Sequence, residues 1–218
     1  MDLVKECAEF YQQGELLEAM ACCDEIIKLD PTSVVGYYNQ GTILFEEEHF
    51  DLSNNCYDQI IKIDPKHIES WVKKGINLFM LEEYEESIVC FDKVIEIDPN
   101  YENAWSNRGN SLRDIEKFEE SVLSCDEAIK INPDFAGAWS NKGLSLHSLK
   151  KYEEAVSCYD KVIEIDPDFE NIWYNKGWAL DRLNRKKESQ LCFDKVDQLN
   201  NEKTVNFVDS ITGINSNN

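Results

Sequence analysis

The five prolines of this chain, Pro31, Pro65, Pro99, Pro133 and Pro167, stand thirty-four residues apart, and each follows Asp or Asn. A spacing held over four successive intervals means one supersecondary unit copied in tandem. The period constrains the fold more than any other feature, because it replaces a count of globular domains by one array of stacked units. With proline at repeat position 32, the repeats run over residues 1–33, 34–67, 68–101, 102–135, 136–169 and 170–203, and 204–218 fall outside the pattern.

Laying the repeats over one another produces columns. Position 4 reads Leu3, Tyr37, Trp71, Trp105, Trp139 and Trp173; position 8 reads Cys7, Gly41, Gly75, Gly109, Gly143 and Gly177. Position 11 is Leu from Leu44 to Leu180, position 20 is Ala or Ser, and position 24 is aromatic in Tyr57, Phe91, Tyr159 and Phe193. Offsets of 4, 8 and 11 share one face of a first helix, and 20, 24, 27 and 28 share one face of a second. Each repeat is therefore expected to be a helical hairpin, and the chain all-α. The second helix stops where proline arrives, since proline cannot donate and pushes the preceding residue out of the helical region. Glycine within a helix costs about 1 kcal/mol relative to Ala. The glycine column therefore predicts close helix approach, with a small residue at 8 facing one at 20 and the Trp and position 24 rings filling the space beside them.

The period, the Trp…Gly…Leu pattern, the small residue at 20, the aromatic at 24 and the closing Pro together resemble the tetratricopeptide repeat (TPR). The resemblance covers residues 1–203. The chain departs from that pattern in having Leu at position 11, no Trp or Gly in repeat 1 and no closing Pro in repeat 6; terminal repeats are commonly atypical. The resemblance implies an α-solenoid, a right-handed superhelix of antiparallel hairpins. Its first helices would line a concave groove that holds a partner peptide or helix, with no chemistry of its own.

Composition narrows the partner. A net charge of -21 argues against nucleic acid, whose binding depends on Lys and Arg neutralising phosphate, and against anionic membrane. No apolar run approaches the roughly 18 residues of a membrane span, and the start, MDLVKECAEF, has no basic leader before an apolar run, so a cytoplasmic location is expected. The acidity is uneven. Repeat positions 1–14 sum to -2 and positions 15–31 to -17, which leaves the groove side near neutral; the outer charge reads as solubility in preference to a dedicated docking face.

Position 6 carries Asn39, Lys73, Asn107, Asn141 and Asn175, an asparagine ladder with one rung replaced. An amide donates and accepts at once, so such a row suits the main chain of an extended peptide; the alternative is a solvated consensus residue. Around it, Tyr38, Phe45, Ile76 and Phe79 make the N-terminal half apolar, Asn110 stands in a polar middle, and Tyr174 and Trp178 form an aromatic station near the end. The apolar half reads either as a docking site for a partner's hydrophobic side chains or as packing between repeats.

Several sharper possibilities fail on their residues. The cations that co-chaperone TPR domains use to clamp acidic C-terminal tails occur in no three consecutive repeats here. Lys74, Arg108, Lys142 and Lys176 at position 7 either bind acidic ligands or, the reading preferred, lay their stems on apolar neighbours and aim their heads at carboxylates of the preceding outer helix. Five cysteines share position 23 on stacked repeats, about 10 Å apart, too far for disulfides or tetrahedral zinc. With no phosphate loop or nucleophile elbow either, the chain is expected to be no enzyme and to hold no metal or cofactor. Residues 204–212 are expected to form a short capping helix or join a frayed tail. The expected function is a monomeric protein-interaction scaffold or adaptor; the alternative is a subunit that self-associates through its terminal repeats.

Overall fold

The computed structural model describes residues 3–212, and their side chains through residue 201. Among the described residues there are twelve α-helices and no strand. The first hairpin pairs α1 (Leu3–Gln13) with α2 (Leu16–Leu29), followed by α3 (Val34–Glu46) with α4 (Phe50–Ile63) and α5 (Ile68–Met80) with α6 (Tyr84–Ile97). Then come α7 (Glu102–Asp114), α8 (Phe118–Ile131), α9 (Ala136–Ser148), α10 (Tyr152–Ile165), α11 (Glu170–Arg182) and α12 (Lys186–Thr212). The chain splits into two compact units, Met1–Ile115 holding α1 to α7 and Glu116–Asn218 holding α8 to α12. Within each unit every helix packs against the next along the chain, and among the described residues the contacts beyond that are slight, α5 on α7 and α9 on α11. Such neighbour-only packing is that of an all-α solenoid.

The Asp-Pro pairs do more than stop a helix. Asp64, capping α4, is extended at φ -131, and its backbone N–H donates to the Ile60 carbonyl. Its Oδ1 accepts from the Lys66 N–H at 3.0 Å, an Asx turn repeated at Asp30, Asp98, Asn132 and Asp166. The proline carbonyl is then turned toward the next helix, where the position 4 indole donates to it: Trp71 to Pro65 at 3.0 Å, Trp105 to Pro99 at 2.9 Å, and Trp139 to Pro133 and Trp173 to Pro167 at 2.8 Å. The two most conspicuous columns of the sequence are joined by this bond. The indoles consequently lie half-buried at the repeat junctions and not in the interior.

Each hairpin turns through a left-handed residue at repeat position 15: Gly14, Glu48, Glu82, Glu116, Lys150 and Asn184, with φ between 59° and 77°. At the third turn Glu82 N–H donates to the Phe79 carbonyl and Glu83 N–H to the Leu78 carbonyl, the paired bonds of a Schellman motif. The same pair recurs at Glu48–His49, Lys150–Lys151 and Asn184–Arg185.

The close approach expected of the glycine column is present, but its partner differs from the expectation. A Cβ on Gly41, Gly75, Gly143 or Gly177 would meet the position 24 ring, Tyr57, Phe91, Tyr159 or Phe193, at 2.5–3.0 Å. The position 20 residue serves another purpose: Ser53 Oγ donates to the Gly41 carbonyl at 2.7 Å and Ser87 Oγ to the Gly75 carbonyl at 2.8 Å. Gly at 8 is thus required by the ring, and Ser at 20 locks the two helices through the main chain.

The region beyond 203 departs from a separate cap. The last helix, α12, runs unbroken to Thr212, so 204–212 continue it; their side chains, and residues 213–218, lie outside what is described. Leu199 of that helix is buried and Leu191 is exposed.

Candidate functional site

In the first unit, α3 presents Tyr38, Asn39 and Thr42, repeat positions 5, 6 and 9, on the face turned toward α1. Together with Ile43 and with Cys7, Ala8 and Tyr11 of α1 they line a pocket of about 250 Å³. Its walls are largely apolar, with the Asn39 amide at one side. Asn39 Nδ2 lies 3.8 Å from Cys7 Sγ, and the Thr42 hydroxyl donates to the Tyr38 carbonyl at 2.9 Å. The Tyr11 hydroxyl donates to the Glu46 carboxylate; that bond, with burial, pushes its pKa up to about 12. Tyr38 meets Tyr57 and His67 edge-on, at centroid distances of 6.0 and 6.1 Å, and burial raises its hydroxyl's pKa. The α1 side of this pocket escaped sequence reasoning, which set repeat 1 aside as an atypical terminal repeat. Column 12 carried the signal, since Tyr11 precedes Phe45 and Phe79 in it.

The remaining candidates of that unit are partly committed to internal packing. Phe45 lies edge-on to Phe50 at 5.6 Å with Lys73 Nζ 5.5 Å from its centroid, so the substituted rung stacks on a neighbouring repeat's ring. Phe79 lies edge-on to Tyr84 at 5.3 Å. Ile76 packs with Val72 against the core of Phe91, Val94 and Ala104. Asn107 and Asn110 are half-buried on α7, and the Asn107 carbonyl accepts from Ser111 Oγ at 3.2 Å.

In the second unit Asn141 and Asn175 are half-buried on α9 and α11. Tyr174 and Trp178 are exposed, 48% and 46%, and form a three-ring cluster with Phe193 at centroid distances of 5.9–6.0 Å. His147 packs edge-on to Tyr152 at 5.2 Å; its Nε2 is buried with no hydrogen-bond partner among the described residues. Burial, and then the nearby Arg182 charge, lowers its pKa.

The position 7 cations reach the preceding outer helix. Lys74 pairs with Asp58 at 2.5 Å, and Arg108 with Asp92, Lys142 with Asp126 and Lys176 with Asp160, each at 2.6 Å. Gln40 continues the ladder by donating to Asp24 at 2.7 Å. Lys142 and Lys176 also sit 5.4 Å from the Trp139 and Trp173 ring centroids. These cations are spent on the fold. A further polar contact that the columns concealed is Asn77, wholly buried, whose Nδ2 donates to Asn54 Oδ1 at 2.9 Å. Among the described residues no three His, Cys, Asp or Glu side chains converge as a metal site, and no helix is long and apolar enough to cross a membrane.

A stack of two-helix, thirty-four-residue repeats with recurring Trp, Gly and closing Pro is the pattern of a tetratricopeptide repeat protein. Tetratricopeptide repeat models match residues 35–67, 77–113, 102–135, 136–169 and 158–190, and the chain belongs to this family. A comparison with curated proteins found no match. Among solved structures, a tetratricopeptide repeat protein from Parabacteroides merdae superposes with a TM-score of 0.80 at 14% identity, covering 90% of this chain and 78% of that one. MamA from Desulfovibrio magneticus gives 0.71 at 20% identity, covering 76% and 94%. YrrB, described as a TPR protein with an unusual peptide-binding site, gives 0.65 at 19% identity, covering 81% and 91%. At these identities the likeness is one of fold. Membership supports a protein-interaction scaffold of a generally non-enzymatic kind.

Proposed function

We propose that the chain is an adaptor that holds an extended peptide segment of a partner protein on its first helices, anchoring an apolar side chain in the pocket beside Tyr38 and Asn39. The pocket carries the reading: it lies on the face where positions 5, 6 and 9 converge, its walls are apolar, and an amide that can address a main chain stands at its side. An amphipathic helix fits less well. Such a helix needs a continuous apolar stripe, whereas Phe45, Ile76 and Phe79 give much of their surface to Phe50, the Phe91 core and Tyr84. In the first unit Asn107 and Lys73 are the polar contacts assigned to the peptide backbone; in the second unit Asn141 and Asn175 are the corresponding polar positions. The likeness to YrrB, whose printed description includes a peptide-binding site, points the same way. The protein acts as a monomer in this reading.

A peptide-array screen of the wild type against an Asn107→Ala, Asn141→Ala double variant and a Tyr38→Ala variant tests it. Binding that falls about tenfold in both variants is expected. Equal binding by the amide variant and the wild type would sink the ladder. A hit set indifferent to Tyr38→Ala as well would remove the pocket. A second reading, self-association through the end repeats, draws on the exposed Leu191 of α12 and Leu17 of α2. Sedimentation that is independent of concentration would remove it.

A further inference from the structure

Positions 8 and 24 of a repeat touch. In the second, third, fifth and sixth repeats glycine at 8 receives an aromatic ring from 24. Repeat 1 has neither: its position 8 is Cys7 and its position 24 is Cys23. The contact that elsewhere joins a glycine to a ring here brings two sulfurs to 3.1 Å. Both side chains are buried, at 1% and 0% exposure. Closing that gap to the roughly 2.05 Å of a disulfide asks for an approach of about 1 Å between α1 and α2, within what side-chain rotation and a small helix shift supply.

The two thiols are not equivalent. Cys7 is among the residues that line the 250 Å³ pocket, and Cys23 is not. The same sulfur faces the Asn39 amide at 3.8 Å and the Ala19 carbonyl at 3.6 Å. Cys23 is sealed behind it, and burial pushes its thiol pKa well up. Cys22, next in sequence, is only partly exposed, and burial raises its pKa too.

We propose that Cys7 and Cys23 form a peroxide-driven disulfide that staples α1 to α2, with Cys7 the attacked thiol and Cys23 the resolving one. In the first step Cys7 sulfur attacks a hydroperoxide: its S–H and the O–O bond break, an S–O bond forms, and the thiol proton leaves with the second peroxide oxygen as water or alcohol. In the second step Cys23 sulfur attacks Cys7 sulfur, the S–O bond breaks, and the Cys23 proton leaves with the hydroxyl as water. The peroxide is reduced by two electrons and the thiol pair is oxidised by two. The staple closes a loop over the α1–α2 turn, at the pocket-bearing end of the first unit. Formation of the bond does not depend on the groove being a peptide site.

The full-length protein is exposed to hydrogen peroxide, free thiols are alkylated, and the tryptic peptide 6–28, which carries Cys7, Cys22 and Cys23, is weighed and fragmented. The expected product is lighter than the reduced peptide by two hydrogens, takes one alkyl group, and fragments with Cys22 labelled. Cys22→Ser retains the mass loss, and Cys7→Ser and Cys23→Ser each abolish it. The oxidised protein melts about 5 °C or more above the reduced one, and a reductant reverses the shift. A bridge that includes Cys22, or Cys7 driven to sulfinic acid while Cys23 stays alkylatable, overturns the proposal. Should a variant fail to fold, the fragment pattern of the wild-type peptide still decides which sulfurs are joined.

Discussion

Replacing Gly143 by Ala pits two opposed effects against each other, and the structure says which wins. In a helix interior Ala is favoured over Gly by about 1 kcal/mol, so on propensity alone the substitution stabilises. The new Cβ, however, would stand 2.5 Å from Tyr159 Cε1, 2.9 Å from Cδ1 and 3.2 Å from Cζ. Carbon atoms rest at about 3.5–4.0 Å. Tyr159 has no exposed surface and packs in the core cluster with Leu146, Val162 and Ile172, so its ring has nowhere to slide and α9 must lift off α10 by about 1 Å. Overpacking of this kind costs about 1–3 kcal/mol. At the upper end it outweighs propensity by about 2 kcal/mol, a fall in melting midpoint of roughly 4–8 °C for a chain of this size. At Gly41 the nearest ring atom would be 3.0 Å away, and the two effects come closer to cancelling. Thermal and urea melts followed by far-ultraviolet circular dichroism should therefore rank the variants Gly143→Ala least stable, Gly177→Ala and Gly75→Ala next, and Gly41→Ala nearest the wild type. Putting Gly143→Ala into a Tyr159→Leu background should reverse its sign, because the ring has gone and propensity remains. A Gly143→Ala protein as stable as the wild type, or a Gly41→Ala protein less stable than the Gly143→Ala one, would refute the ring as the reason for the column.

Two further outcomes follow from the same geometry. Lys150 holds φ at 62° where a side chain is disfavoured, so Lys150→Gly should stabilise by about 1 kcal/mol in a urea titration, against the usual effect of adding glycine; a loss would mean that the lysine side chain holds the turn. His147 has a lowered pKa when folded, so between its unfolded value, about 6.5, and the lower folded one the unfolded chain binds more protons; stability should fall as pH drops through that window, and His147→Gln should flatten the slope measured by melts at successive pH values.

The helix boundaries, the register of the repeats and the identity of the packed columns were legible because each rests on a residue whose covalent chemistry acts locally: proline ends a helix, and periodic apolar residues define a face. The left-handed residue at position 15 was not, because five of its six occupants are Glu, Lys or Asn, and the turn is set by two main-chain bonds that leave no mark on the side chain. The Trp column was legible as packing but not as a donor. That role appears only once the Asx turn has aimed the proline carbonyl at the indole.

The groove residues show how far a column reaches. It states which face a side chain occupies but not which neighbour claims it, and on these first helices the neighbours are decisive. Phe45 and Phe79 share a column and a fate, because the residue that opens the next helix is itself aromatic, Phe50 or Tyr84, and takes one edge of each ring. His147 in the same column meets Tyr152 for the same reason. Tyr174 and Trp178 pack on each other and on Phe193 and remain about half exposed. At repeat 1 the column pair 8 and 24 loses both its glycine and its ring, and with them the filling that closes the equivalent contact in the second, third, fifth and sixth repeats. The 250 Å³ pocket opens against one of the two cysteines that replace them, at the hairpin that departs most from the repeat pattern. In the reading proposed above, selectivity for a partner is best sought where neighbouring side chains leave a pocket or exposed rings, at Tyr38 and Asn39 in the first unit and at Tyr174 and Trp178 in the second.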